Sequence, residues 1–184
     1  VMASNGPQRG YTASASSVYL TNPPWKAFDG DTADSHYHGA LSLYNSSTGA
    51  YTGSNSLNGI NGEWVILQLP YKVDLSYVHI YPRLVSSTAA NQSADNISIV
   101  GSNDGSSWTT LTSVTGLTYT DYTATVITVN SSTGYKYFGF IGQKIIAQPG
   151  NWTNWSLTQI ELYGTQESTP VLARLGGSFE GKIA

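Results

Sequence analysis

Three carboxylates stand close together in a chain that has few of them. Asp29, Asp31 and Asp34 lie within six residues around Gly30, and the whole chain holds 11 acidic side chains. Lys26 is the one basic residue nearby. Oxygen ligands on a flexible turn suit Ca²⁺, which takes six to eight oxygens. The pattern therefore predicts a divalent cation here, and the alternative is that the aspartates only form Asx turns.

A second group of side chains has the chemistry that a sugar requires. A pyranose presents a C–H face that packs on an aromatic ring and hydroxyls that pair with amide, guanidinium and imidazole groups. Side chains of these types, in or beside turn-rich stretches, are the candidate ligand-binding residues: His36, Tyr37, His38, Tyr44, Tyr51, Arg83, Asn91, Trp152 and Trp155.

Several of these candidates have a plainer interpretation. Trp152 and Trp155 are three residues apart, and one of them could instead close the core beneath its loop. Arg83 could form a surface ion pair. His36 and His38 point to the same side of an extended segment, but zinc would need a third ligand.

Composition excludes several classes of function. Eight Lys and Arg against 11 Asp and Glu give a formal charge of -3, and there is no basic stripe to neutralise phosphates, so nucleic acid is not an expected partner. The chain has no cysteine, which removes thiol catalysis and cysteine-ligated metals. It contains no nucleophile elbow, phosphate loop or HExxH motif. We therefore expect no enzyme activity.

Apolar and polar residues alternate along short segments that Gly, Asn, Asp and Ser separate. Period-two alternation predicts at least six strands, at 64–69, 75–81, 96–100, 125–129, 135–141 and 157–163. This spacing is typical of an antiparallel β-sandwich or barrel. Trp64 and Trp108 lie at or beside strands, so we expect both in the core. The pattern stops after Gly164, so residues 1–164 are the predicted domain and 165–184 a linker or tail towards another module.

Four blocks of sequence occur in a characteristic order. They are the turn WKAFDGD at 25–31, the strands at 63–69 and 78–83, the strand and Asp-Gly turn at 97–108, and the strands at 137–141 and 157–164. Together they resemble the discoidin, or coagulation factor 5/8 type C, superfamily, which includes the family 32 carbohydrate-binding modules. The resemblance implies an all-β, eight-stranded antiparallel jelly-roll sandwich that binds ligands through loops at one end. It also implies a structural Ca²⁺ held by Asp29, by carbonyls near Phe28 and Asp31, by Asp34 and by Glu161.

The residues and the resemblance together predict a non-catalytic, lectin-like module that attaches to cell-surface, matrix or polysaccharide glycans through a neutral sugar. We expect it to be extracellular or surface-exposed and part of a larger multidomain or multivalent protein. One alternative is a structural or protein-interaction domain of a surface or viral assembly. The other is binding to phospholipid or a membrane surface, which is disfavoured because the long loops hold few bulky aliphatic residues and no basic rim.

Asn-x-Ser/Thr sequons are numerous in this Ser- and Thr-rich chain. They could carry N-linked glycans in an exported glycoprotein. A glycan on either of the last two would obstruct the tryptophan loop. The sequons lie at Asn45, Asn91, Asn96, Asn130, Asn151 and Asn154.

Overall fold

The computed structural model describes residues 2–4, 9–33, 35–83, 92–120, 123–147 and 153–167. The candidates Asp34, Asn91 and Trp152, the sequon at Asn151 and residues 168–184 of the predicted tail lie outside the described residues. In chain order the elements are β1 (Thr12–Ala15), a short 3₁₀ helix (Pro24–Ala27), β2 (Tyr37–His38), β3 (Ser56–Leu57), β4 (Ile60–Asn61), β5 (Glu63–Pro82), β6 (Ala94–Ser102), β7 (Trp108–Val114), β8 (Thr125–Thr128), β9 (Tyr135–Ile145) and β10 (Ser156–Gln166).

The strands pair into one large antiparallel system. Eight of them connect in the order β2-β10-β5-β9-β6-β7, with β1 and β8 also paired to β5, while β3 and β4 form a separate hairpin. Every pairing is antiparallel. The predicted eight-stranded antiparallel β fold is therefore confirmed. Strand β7 was not among the six predicted strands.

Strand β5 belongs to both layers of the sandwich. Its first part, 63–68, pairs with β1 and β9, and its last part, 73–82, pairs with β10 and β8. Pro70 lies between the two parts. Because proline has no backbone N–H, a ladder cannot continue through it unchanged. The two strands predicted at 64–69 and 75–81 are thus one bent strand.

The core lies between the two layers. From one layer Val65 and Leu67 are buried, from the other Val78 and Ile80 are buried, and all belong to one apolar cluster. Trp64 alternates with these residues and lies half-buried on the outer face. Successive side chains of a strand point to opposite faces, so burying Val65 places Trp64 outside.

The expectation for the strand tryptophans is wrong. Trp64 and Trp108 are both half-buried and neither belongs to the apolar core cluster. Trp108 packs edge to face against Tyr137 on the same face of the sheet, since both residues pair with Ser102, and the ring centroids are 6.4 Å apart.

The bend at Pro70 brings both ends of β5 to the same end of the sandwich. The starts of β6 and β10 lie there as well, because β6 runs parallel to the first part of β5 and β10 runs antiparallel to its last part. His38 of β2 pairs with Ser156 at this end. We call it the upper end.

Candidate functional site

The upper end gathers polar side chains that are far apart in the sequence. His38 ends β2, Arg83 follows β5, Gln92 precedes β6 and Asn154 precedes β10. Arg83 Nη1 donates to Gln92 Oε1 at 2.8 Å, and Gln92 Nε2 donates to Asn154 Oδ1 at 3.0 Å and faces His38 Nε2 at 3.3 Å. The Gln92 amide therefore bonds to all three neighbours. We call these four residues the Gln92 network.

His38 is held in the network as a neutral imidazole. Burial, together with the charges of Arg83 and His36, lowers the pKa of His38 from 6.5 to about 4. The geometry agrees, because the Gln92 N–H can bond to His38 Nε2 only if that nitrogen accepts. His36 lies half-buried beside it, with the two rings edge to face and their centroids 6.0 Å apart.

Arg83 brings a cation to the upper end. Burial lowers the pKa of Arg83, but a guanidinium stays protonated in proteins. Among the residues that the structure describes, the ion pairs are Lys72–Glu167, His79–Glu161 and Lys144–Asp95. The surface ion pair considered for Arg83 is therefore not formed within that part of the chain. A guanidinium has five N–H donors, and the bond to Gln92 uses one of them.

Tyr37, Tyr44 and Trp155 are core residues. Their exposed fractions are 0%, 2% and 1%. The Tyr37 ring meets the Trp155 indole edge to face, with centroids 6.0 Å apart, and the Tyr44 hydroxyl donates to the carbonyl of Gly142 at 2.6 Å. A side chain without exposed surface cannot stack on a sugar, so the prediction that these three contact ligand is wrong. Trp155 instead closes the core beneath its loop.

Tyr51 supports the loop that joins β2 to β3. Its hydroxyl accepts from the backbone N–H of Asn55 at 2.9 Å, and its ring packs edge to face on Tyr44. The Asn55 amide donates to Glu63 Oε1 at 2.6 Å, and the Ser17 hydroxyl donates to Glu63 Oε2. Glu63 is fully buried. This buried carboxylate ties the loop to the start of β5.

Three aliphatic side chains are exposed beside the Gln92 network. Val18, Leu20 and Leu41 are 44%, 74% and 42% exposed. The backbone N–H of Tyr19 donates to the carbonyl of His38 at 2.8 Å, which places residues 18–20 alongside β2. We call these three side chains the apolar rim.

The predicted cation turn forms Asx turns and is attached to the last strand. Asp31 N donates to Asp29 Oδ1 at 2.9 Å, and Ala33 N donates to Asp31 Oδ1 at 2.8 Å. Gly30 N donates to Gln159 Oε1 at 3.0 Å. The side chain of β10 that reaches the turn is therefore Gln159.

Glu161 lies elsewhere, so its assignment as a ligand of this cation is wrong. Its carboxylate accepts from the Tyr163 hydroxyl at 2.8 Å and lies 3.5 Å from His79 Nδ1. The hydrogen bond to Glu161 raises the pKa of Tyr163 to about 12. Within the described ranges, no three His, Asp or Glu side chains group in a way that could hold a metal.

With Glu161 set aside, the oxygens in and beside the turn are still of the type that Ca²⁺ prefers. They are the carboxylates of Asp29 and Asp31 and the amide oxygen of Gln159. The Phe28 carbonyl accepts from Met2 N at 3.0 Å and keeps one lone pair. These residues fit a calcium ion in donor type, with Gln159 where the resemblance implied Glu161.

Two residues of the Gln92 network are not among the candidates that the sequence predicts. Gln92 adopts a φ of 67°, which is rare for a residue other than glycine, and nothing in its Ser- and Ala-rich stretch marks it. In the sequence, Asn154 is distinguished only as part of a sequon. It is fully buried, and its Nδ2 has no hydrogen-bond partner within the described part of the chain. A buried amide cannot accept a glycan, so this sequon is unavailable in the folded domain.

Comparisons with known proteins agree with this architecture. No protein-family model and no curated protein matches the sequence. A family 32 module, CBM32-3 from a family 31 glycoside hydrolase of Clostridium perfringens, superposes with a TM-score of 0.63 at 20% identity, covering 82% of this chain and 88% of that one. The family 32 module of C. perfringens NanJ in complex with galactose gives a TM-score of 0.59 at 18% identity, covering 85% and 95%.

A third similar structure also holds a sugar. It is CpGH89CBM32-5 from C. perfringens in complex with GalNAc-β-1,3-galactose, with a TM-score of 0.61 at 15% identity, covering 86% of this chain and 98% of that one. Among the described residues of this chain, none forms a helix with the length and hydropathy needed to cross a bilayer. The chain has the β-sandwich fold of the family 32 carbohydrate-binding modules.

Proposed function

We propose that this chain is a non-catalytic glycan-binding module whose sugar site lies at the upper end, on Arg83 and His36, with the buried His38 supporting them from beneath. The observation that carries the proposal is the Arg83 guanidinium. Its Nη1 is held 2.8 Å from Gln92 Oε1, and none of the carboxylates that the structure describes forms an ion pair with it. Such a fork can donate to two adjacent hydroxyls at once. The solved modules that hold galactose or GalNAc-β-1,3-galactose share this fold and support a neutral sugar as ligand.

The proposed setting is a surface-exposed or extracellular protein with several modules. A shallow site gains little free energy per contact relative to the cost of association, so affinity for one sugar is expected to be weak. Several copies or modules on one polypeptide raise the effective affinity. The module would then tether its parent protein to a glycan-bearing surface.

A glycan array followed by calorimetry tests the site. We expect wild-type protein to bind neutral glycans, and Arg83→Ala to weaken binding about 10- to 100-fold, as loss of hydrogen bonds to a charged group does. Lys72→Ala is the matched control, because it also removes one positive charge but from an ion pair next to the bend of β5, away from the upper end. If no glycan binds, or if both variants bind as the wild type does, the proposed site is wrong.

The neutrality of His38 predicts how stability depends on pH. The unfolded chain protonates this imidazole near pH 6.5, but the folded chain does so only near pH 4. Between these values the unfolded state binds more protons, so stability falls as pH drops through this window, by about 3 kcal/mol in all. Urea denaturation at a series of pH values measures the loss. In His38→Gln the free energy of unfolding should change less with pH between pH 6.5 and pH 5, which is roughly the upper half of the window. If the slope of stability against pH is the same as in the wild type, His38 is not the group responsible.

We also propose that the Asp29 turn binds a structural Ca²⁺ through Asp29, Asp31 and Gln159. The ion would fasten this turn to β10, which the Gly30–Gln159 hydrogen bond already joins to it. Millimolar Ca²⁺ should raise the melting temperature measured by circular dichroism, and chelator should reverse the rise. In Asp29→Asn the Ca²⁺-dependent rise should disappear. Asp104→Asn, in an Asx turn of another loop, should keep it. Equal rises in the two variants would count against the site.

The apolar rim favours a second candidate function, contact with a membrane surface. Leu20 is 74% exposed, and an aliphatic side chain of this kind at a loop tip can enter the boundary of a bilayer. Sedimentation with liposomes of neutral and anionic lipid distinguishes the two functions. Vesicle binding that Leu20→Ser abolishes, without glycan binding, would favour the membrane. Absence of both activities would favour a structural or protein-interaction domain.

A further inference from the structure

Four metal-binding side chains meet on the outer face of β10 and the last part of β5. Val78 and Ile80 point into the core, so the alternate residues His79 and Tyr81 point outward. Glu161 pairs with His79 in register. Tyr163 lies two residues further along the same face of β10. The Gln92 network and the Asp29 turn use none of these four side chains.

One oxygen is the centre of the group. Tyr163 Oη donates to Glu161 Oε2 at 2.8 Å, Tyr81 Oη donates to the same oxygen at 3.4 Å, and His79 Nδ1 lies 3.5 Å from it. Ligand atoms bound about 2.0–2.1 Å from one six-coordinate ion lie about 2.8–3.0 Å from each other. Of the three separations from Glu161 Oε2, that of Tyr163 lies in this range. Tyr81 and His79 would each have to move closer by about half an ångström to share an ion with it.

The position of the group allows an ion to enter. The side chains of His79 and Glu161 are 25% and 32% exposed. The ring of Tyr163 is held from behind by Tyr77, stacked with centroids 4.7 Å apart and planes 9° apart. Side chains that are already positioned by packing lose little freedom when they bind a metal.

We propose that His79, Tyr81, Glu161 and Tyr163 form a binding site for ferric iron. The donor set is one imidazole, one carboxylate and two phenol oxygens, with no sulfur ligand. Imidazole suits iron, copper, zinc and nickel, and tyrosine is a known protein ligand of iron. A free phenol has a pKa near 10, and the hydrogen bond to Glu161 raises the pKa of Tyr163 to about 12. A strongly polarising trivalent ion is therefore needed to displace the proton at neutral pH. Binding forms two Fe–O(phenolate) bonds and releases two protons.

Titration of the full chain with ferric nitrilotriacetate tests the site. We expect one iron per chain and a visible tyrosinate-to-iron charge-transfer band. Tyr163→Phe keeps the ring stack on Tyr77 but removes the ligand oxygen. Mutating a residue that only hydrogen-bonds to a metal ligand already lowers metal affinity about 10- to 100-fold. Tyr163→Phe removes a ligand itself, so it should lower the iron affinity by at least this much and weaken or remove the charge-transfer band. Tyr71→Phe is the matched control, since its hydroxyl bonds to Tyr11 in another part of the fold.

The outcomes decide the proposal. No charge-transfer band, or a band of equal strength in the Tyr163→Phe and Glu161→Gln variants, would overturn the site, and circular dichroism shows that each variant is folded. Tighter binding of Cu²⁺ or Zn²⁺ than of iron in the same competition would overturn the ferric assignment. Arg83→Ala should leave iron binding unchanged, so this site and the proposed sugar site can fail independently.

Discussion

Truncating Trp155 to alanine should lower the free energy of unfolding by about 3–5 kcal/mol, the usual cost of removing a buried aromatic side chain. The indole is 1% exposed and packs on Gly142, where a Cβ atom would lie 2.9 Å from indole Cδ2. Tyr37 meets it edge to face. Alanine would leave a cavity that neither a backbone nor a packed tyrosine ring can fill. Urea denaturation followed by far-ultraviolet circular dichroism measures the change.

Two variants separate packing from ligand contact at this position. Trp64→Ala, on the outer face and half-buried, should cost clearly less than Trp155→Ala. Trp155→Phe should keep most of the stability and, in conditions where it is folded, all of the glycan affinity, because the indole does not reach the surface. A cost for Trp155→Ala below about 1 kcal/mol, as for an exposed side chain, would show that the burial is wrong.

Replacing Glu63 with alanine should destabilise the fold by about 3 kcal/mol. The carboxylate is 0% exposed and accepts from the Asn55 amide and the Ser17 hydroxyl. Ser17 Oγ in turn accepts from Ala40 N at 2.8 Å. Removing the carboxylate leaves the half-buried Asn55 and Ser17 donors without their acceptor and removes the packing of a fully buried side chain. The loss of an acceptor costs about 1–3 kcal/mol for a donor that water cannot reach. Chemical denaturation measures the global cost.

The effect of Glu63 on the adjoining loop can be measured separately. Loss of the carboxylate should release the segment between β2 and β5, so limited proteolysis should cut there faster than elsewhere. Glu63→Gln keeps the shape and one acceptor, and we expect about half the destabilisation of Glu63→Ala. If Glu63→Gln costs nothing, the carboxylate stabilises the fold only through its volume, and the hydrogen-bond argument is wrong.

Local patterns were enough to predict the scaffold. Period-two alternation placed strands close to where β6, β8, β9 and β10 lie, because side chains of a strand alternate between core and solvent wherever its neighbours lie. The same rule could not show that 64–69 and 75–81 join in one strand. That depends on which partners each half finds, since β9 pairs with the first half and β10 with the second.

Residue type did not decide which candidate side chains face a ligand. Of the nine candidate ligand-binding residues, His36, His38 and Arg83 meet at the upper end, with His38 buried beneath the other two. Tyr37, Tyr44 and Trp155 are buried in the core. The local sequence around an aromatic residue that precedes a strand is the same whether the ring is buried in the core or faces a ligand. Its burial depends on contacts with distant residues, such as Gly142 beneath Trp155.

The amino-acid sequence by itself determined the fold class, the acidic turn and the kinds of side chain available to bind a ligand, because composition and period-two alternation are local properties. Only the tertiary structure decided that Gln92 joins His38 and Asn154, which are 54 and 62 residues away, and that Glu161 faces His79 and two tyrosines rather than the Asp29 turn. Those contacts depend on strand pairing between distant segments. A register shift of one residue would turn His38, His79 or Glu161 to the opposite face of the sheet.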